Sequence, residues 1–370
     1  MRGDKICLKQ QGARGAKEYE GHVSEIREDK VEMLFHEKFV NSYVKGIKFD
    51  VRFTISRFPM RNMHRAVELA ADSSAPLLSL LFPTSSQLVP PSAALPNIRC
   101  KNRAIEENSE QLRAVQHIVA GSSGTAPYLV FGPPGTGKTV TVVEAIKQVY
   151  ELFPESHIVA TAPSNAAADL LADRLRQHIG KRHMLRIHAA SRSLATVPEA
   201  LLAISNVDRG RYTYPSLEEL LEYRIIVITL VSAGRLVSAN IKAGHFTHLF
   251  IDEAGQATEP ELVIPLRLIG AGGKLVMVGD PKQLGPVIRS SIGSRNGLAV
   301  SMLERMMEEN MIYSRKEEAG YDPRCITKLV RNFRSHPALL EVPARLYYHS
   351  ELLPCADTAM VSYSARLSEI

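Results

Sequence analysis

The chain has 370 residues, 45% of them hydrophobic and 23% charged, a globular balance that excludes wholesale disorder and leaves room for two or three domains. A formal net charge of +6 and a pI of about 9.1 suit a polyanionic partner without singling one out. Cys7, Cys100, Cys325 and Cys355 stand too far apart for a metal knuckle or redox pair. No apolar signal core follows the N-terminus and no apolar run is long enough to span a bilayer, so a cytosolic or nuclear protein with reduced thiols is expected.

Residues 1–70 hold 14 Lys/Arg against 10 Asp/Glu and carry +4 of the net charge. Within them Phe49, Val51, Phe53 and Ile55 alternate with polar residues, the period of a half-buried strand, and Val31–Phe35 is a second candidate. Short strands with charged turns predict a small sheet or barrel, followed by a helix over 65–71. Residues 72–97 are rich in Pro and Ser and read as an extended linker. From about 108 the apolar runs Tyr128–Phe131, Ile158–Ala162, 225–230, His248–Ile251 and 275–278 alternate with helical patterns, predicting an α/β doubly wound parallel sheet. In such sheets ligands sit at the carboxyl ends of strands. Residues 180–222 show no clear strand and read as an insertion.

Gly132-Pro133-Pro134-Gly135-Thr136-Gly137-Lys138-Thr139 fits the phosphate-loop pattern between a strand and a helix. Its glycines let backbone N–H groups curl around phosphates at a helix N-terminus. Lys138 is expected at the β/γ-phosphates of ATP and Thr139 at magnesium (Mg2+). Asp252-Glu253 follows an apolar strand; paired with the loop, it reads as a metal carboxylate (Asp252) and a general base (Glu253), whereas alone such a pair is often a helix cap. Gln283, in Gly279-Asp280-Pro281-Lys282-Gln283, is either a γ-phosphate sensor or part of a polar turn. Gln111, at a helix start, has a carboxamide that both donates and accepts, as an adenine edge requires.

Together these residues resemble the ordered motifs of superfamily 1 helicases of the Upf-one-like branch. Gln111, the phosphate loop, Asp252-Glu253-Ala254-Gly255 and the Gly279-to-Gln283 turn match four of them. Ala162-Pro163-Ser164-Asn165, Thr229-Leu230 and Arg331-Asn332-Phe333-Arg334-Ser335-His336-Pro337 match three more, over residues 108–340. The Mov-ten/Armitage subgroup, RNA helicases of small-RNA silencing, is the nearer likeness, through His245-Phe246-Thr247-His248, Tyr321-Asp322-Pro323 and Tyr347-Tyr348 among others.

The resemblance implies a RecA-like core over 101–322, an accessory barrel and stalk over 1–71, a linker over 72–100 and the start of a second RecA-like domain over 323–370. It implies ATP-driven 5′-to-3′ movement on single-stranded RNA, Argonaute-complex partners, residence in cytoplasmic processing bodies, a monomer, and no membrane. Pro163, Ser164, Asn165 and Thr229 would contact the RNA backbone, which suits RNA and DNA alike. Phe333 would lie near the adenine and Arg334 would act as an arginine finger. The family's last two motifs have no counterpart after His349, which implies an incomplete second domain and leaves open an ATP- and RNA-binding protein that does not unwind.

Overall fold

The computed structural model describes residues 5–12, 15, 17–54, 56–72, 77–90, 94–317, 320–357 and 361. Its first unit is an antiparallel sheet of β1 (Lys5–Gln10), β2 (Glu18–Ile26), β3 (Val31–Phe35) and β4 (Phe49–Thr54), in the order β3-β2-β1-β4. Phe39 anchors one end, its ring 4.7 Å from that of Tyr19 and 4.6 Å from that of Phe35. β1 buries Ile6, Cys7 and Leu8. β4 departs from the half-buried expectation: Val51 is 50% and Phe53 61% exposed, on a strand at the edge of the sheet. Ile55 lies outside the described residues.

The second unit is built on β5 (Tyr128–Phe131), β6 (Ile158–Ala162) and β7 (Met184–Arg186). A two-residue ladder of β8 (Val207–Asp208) and β9 (Arg211–Tyr212) stands apart, and β10 (Ile225–Thr229), β11 (His248–Ile251), β12 (Lys274–Gly279) and β13 (Ile326–Lys328) complete the sheet. All seven strands of this sheet pair in parallel, in the order β13-β5-β12-β11-β6-β10-β7. Because side chains alternate along a strand, each run feeds two cores. Leu129, Phe131, Ile226, Leu249 and Met277 face one layer of helices; Tyr128, Val130, Ile225, Phe250 and Val276 face the other. This is a RecA-like doubly wound sheet. Side-chain caps fix its helix starts: Asn108 accepts from the Gln111 N–H, and Ser164 from the Ala167 N–H.

Several expectations change. The 65–71 helix begins at Phe58, with Pro59 in its first turn, where a missing N–H costs nothing. The Pro/Ser-rich stretch is more than a linker: Leu77–Leu81 is a helix whose Leu77, Leu80 and Leu81 are buried in the main core. Arg305 and Asn310 donate to the Leu81 and Pro83 carbonyls, at 3.1 and 2.8 Å, and tie it down. Strand β10 ends at Thr229, and Leu230 opens a helix. Residues 180–222 contain β7, an integral edge strand. Its signal is hidden by Arg186, which is fully buried because Asp169 neutralises it. A domain boundary at 322/323 would cut off β13, which pairs with β5 and therefore belongs to the first core. After it, β14 (Arg331–Asn332) pairs with β15 (Leu353–Pro354), flanking the helix Pro337–Tyr347.

Candidate nucleotide site and nucleic-acid interface

A cavity of about 620 Å³ opens at the carboxyl end of β5. On one wall, the phosphate loop runs from Phe131 into the helix Lys138–Leu152. Gly135 and Gly137 hold φ of +85° and +84°, a left-handed conformation that favours glycine. They are also places of close approach: a Cβ on Gly135 would meet Arg334 Cβ at 2.5 Å, and one on Gly137 would collide with the Gln111 amide. Lys138 is buried, and its Nζ donates to the Gly132 and Pro133 carbonyls at 2.7 and 3.3 Å. Burial pushes its ammonium below the usual range, while Asp280, Glu253 and Asp252 pull it back.

The Thr139 hydroxyl donates to Asp252 Oδ2 at 2.8 Å, bringing together the two groups expected at magnesium. Burial, then the Glu253 charge, push Asp252 up to about 6. Among the described residues no three His, Cys, Asp or Glu converge as a metal cage. A hydroxyl–carboxylate pair beside a phosphate loop instead fits Mg2+, which usually takes one or two protein ligands along with substrate phosphates and water. Glu253 sits in the left-handed region at φ 55° and its Oε2 accepts from Gln256 at 3.1 Å; such strain in a non-glycine residue gathers at functional sites. Gln283 also lines the cavity, its Nε2 donating to Asp280 Oδ2 at 2.8 Å.

The far wall comes from after β13. Asn332 is fully buried, donates to the Pro134 carbonyl at 2.7 Å and accepts from the Arg334 and Ser335 N–H groups at 2.9 and 2.8 Å. The Phe333 N–H donates to the Gly135 carbonyl at 2.9 Å. This presents an exposed Phe333 ring and the Arg334 guanidinium to the cavity. Gln111 is there too, but both its N–H groups are engaged, by the Gly137 carbonyl at 3.2 Å and the Thr141 hydroxyl at 3.1 Å. As placed it can only accept, so the expected two-way reading of adenine reduces to one bond.

Sequence reasoning missed Arg174 as a cavity residue. It lies in the last turn of the helix Asn165–Arg176, and its Nη1 is buried without a hydrogen-bond partner. Arg331, which the motif match contains without a role, also lines the cavity and donates to the Glu107 carbonyl at 3.1 Å. Arg174 carried no local signal; an arginine in the last turn of a helix reads as a dipole partner.

Pro163, Ser164, Asn165 and Thr229 lie away from the cavity, at the ends of the paired strands β6 and β10. Ser164 and Asn165 are exposed. Asn165 Oδ1 accepts from Arg186 Nη2 at 3.0 Å, so its amide N–H groups remain available. Arg186 and Arg192 both pair with Asp169, at 2.9 and 2.6 Å, and Arg192 donates to His188, which burial and the two guanidinium charges push down to about 3. The Thr229 hydroxyl donates to Ser232 at 2.9 Å, which leaves its lone pairs rather than its proton facing out.

The family model described as "AAA domain" matches residues 106–212 and 211–291, half of the chain, and that described as "Helicase MOV-10, beta-barrel domain" matches residues 1–53. A putative helicase mov-10-B.1 of Danio rerio is 46% identical over 368 residues, covering 96% of this chain and 36% of that protein. A putative helicase MOV-10 of Gallus gallus is 46% identical over 345 residues, covering 90% and 35%. The probable RNA helicase armi of Drosophila melanogaster is 30% identical over 393 residues, covering 96% and 32%. The chain thus spans about a third of the length of these relatives. No helix among the described residues is long and apolar enough to cross a membrane. With a Mov-10 barrel model at its start and the AAA domain across its parallel sheet, the chain belongs to the Mov-10 family of helicases.

Proposed function

We propose that the chain carries the ATP-binding core of an RNA helicase that couples ATP hydrolysis to 5′-to-3′ movement on single-stranded RNA in RNA-mediated silencing. The observation that carries this reading is convergence. The phosphate loop, Glu253, Gln283, Phe333 and Arg334, from four separate stretches of sequence, line one cavity, with Asp252 joined to it through Thr139.

In this reading the loop N–H groups and Lys138 hold the β- and γ-phosphates, and Thr139 and Asp252 hold Mg2+. Mg2+ held there would supply positive charge that offsets the charge of the phosphates. Glu253 orients and deprotonates the attacking water. Gln283 donates to the γ-phosphate and Arg334 stabilises the transferring group, a role typically worth on the order of 10³–10⁵ in rate. Gln111 accepts from the adenine amino group, Phe333 lies against the base, and Arg174 offers its unpartnered N–H to the nucleotide.

Pro163, Ser164, Asn165 and Thr229 line the RNA path, positioning the backbone without reading sequence. RNA is favoured over DNA by relatives described as RNA helicases, Mov10l1 of Homo sapiens and armi of Drosophila melanogaster. Argonaute-complex partners and processing-body residence are supported by the Mov-ten/Armitage likeness.

The test is RNA-stimulated ATP hydrolysis by the wild-type chain beside Lys138→Ala. The mutant is expected to lose activity while keeping its circular dichroism spectrum; equal rates would sink the reading. Duplexes with a 5′ or a 3′ overhang test the movement: unwinding of the 5′-tailed duplex supports the reading, and binding of both without strand separation counts against it.

A further inference from the structure

Tyr348 follows the helix Pro337–Tyr347, is 5% exposed, and packs with Leu340, Ala344 and Leu352. Packing alone would be served by phenylalanine, but the hydroxyl has a partner. It donates to Asp280 Oδ2 at 2.8 Å, across 68 positions of sequence. Asp280 is 4% exposed, so its carboxylate must find its hydrogen bonds within the protein. It has three: Oδ1 accepts from the Lys282 N–H at 3.0 Å, and Oδ2 accepts from both Tyr348 and Gln283 Nε2, each at 2.8 Å. Burial, then the bond to Asp280, hold the Tyr348 phenol well above its ordinary range, so it keeps the proton it donates.

The chemistry of the carboxamide gives this contact a consequence. An amide whose last torsion is free presents either its oxygen or its NH₂ to a ligand, and the oxygen repels a phosphate. A carboxylate accepts but does not donate, so beside Asp280 the amide must turn its nitrogen inward. One N–H is spent on Asp280, and the other is left for the cavity that Gln283 lines. Tyr348 shares that carboxylate oxygen and fixes its rotation. Tyr348 is itself held from a second side: Lys328, on β13 beside the phosphate-loop strand, donates to its carbonyl at 2.8 Å and pairs with Glu351 at 2.5 Å.

We propose that Tyr348 is a positioning residue of the nucleotide site, whose hydroxyl acts through Asp280 to hold the Gln283 amide in the orientation that meets a γ-phosphate. This rests on the reading of Gln283 as the group that senses the γ-phosphate. It makes the segment after Arg334 part of how the site distinguishes a triphosphate from a diphosphate.

The experiment measures Kd for fluorescent ADP and for a fluorescent non-hydrolysable ATP analogue, both with Mg2+, on the 370-residue chain. The readout is the preference for the triphosphate over ADP. Tyr348→Phe keeps the packing and is expected to lower that preference by about tenfold, the scale of one lost hydrogen bond to a charged group, while leaving Kd for ADP unchanged. In a Gln283→Ala background the same substitution is expected to change nothing further, because the two act as one unit.

A normal preference in Tyr348→Phe beside a lowered one in Gln283→Ala overturns the role of Tyr348 alone. An equal loss in both backgrounds overturns it too, since the hydroxyl would then act independently of Gln283. A normal preference in Gln283→Ala removes the sensor reading, and the proposal with it. Should Tyr348→Phe fold poorly, Asp280→Asn tests the link from its other end. The asparagine NH₂ can donate to the Gln283 amide oxygen, which lets that amide turn, and the preference is expected to fall; an unchanged preference again overturns the proposal.

Discussion

The two sheets of this protein use the same residue types to different ends. In the large parallel sheet, β5, β6 and the first four residues of β10 are buried on both faces, because helices cover each side. In the N-terminal antiparallel sheet, Val31, Met33, Leu34, Val51 and Phe53 are equally apolar and remain exposed. An apolar strand therefore does not by itself mark a core. What it contributes depends on which helices the chain brings to it. The large sheet supplies a rigid platform for the phosphate loop, whereas no described residue of the N-terminal sheet lines the cavity.

The sharpest way to break this contrast is a matched pair of truncations. Phe250→Ala, at the centre of the large sheet, is expected to cost about 3–5 kcal/mol. Phe53→Ala on β4 is expected to stay within about 0.5 kcal/mol. Urea unfolding of both variants decides it; a large loss at Phe53 would mean that the exposed face of β4 is covered in solution. Arg186 sharpens the same contrast from its charged exception, for it is a fully buried cation in the large sheet. Arg186→Met leaves Asp169 with Arg192 alone and is expected to cost about 1–3 kcal/mol, because Asp169, Asn165 and the Ile187 carbonyl each lose a charge-assisted hydrogen bond. An unfolding midpoint equal to wild type would show that Arg192 alone satisfies Asp169. A change in the cavity tests function rather than stability. Arg174→Ala is expected to weaken ATP binding by about tenfold, the scale of one charged hydrogen bond, with little change in stability. Isothermal titration that finds an unchanged Kd would place its unpartnered nitrogen away from the nucleotide.

Much of the large sheet is legible in the sequence because its strands are unbroken apolar runs ending in motifs. Lys138, Glu253, Gln283 and Arg334, singled out for the nucleotide, line one cavity for the same reason, since each follows the end of a strand or turn, whereas Gln111 reaches it from the first turn of a helix. The losses have physical causes. β7 contains an arginine whose burial depends on Asp169, a partner that no local window shows. β13 is three residues long and earns its place only by pairing with β5. Leu77–Leu81 hides between Pro- and Ser-rich flanks. Arg174 reads as an ordinary helix end, and its exposure to the cavity follows from tertiary packing. The donors of Gln111 and Thr229 are spent on neighbours that sequence spacing does not reveal.

The clasp that Asn332 makes on the phosphate loop decides where this molecule can bend. Its amide and the Phe333 N–H are both fastened to the loop backbone, so the aromatic ring and the guanidinium ride with the loop as one piece. The first free pivot lies past Ser335, whose own N–H is still held by Asn332. A swing of the later helix would therefore leave Phe333 and Arg334 in place and pull instead on Tyr348, making the tyrosine the tether and the asparagine the rivet.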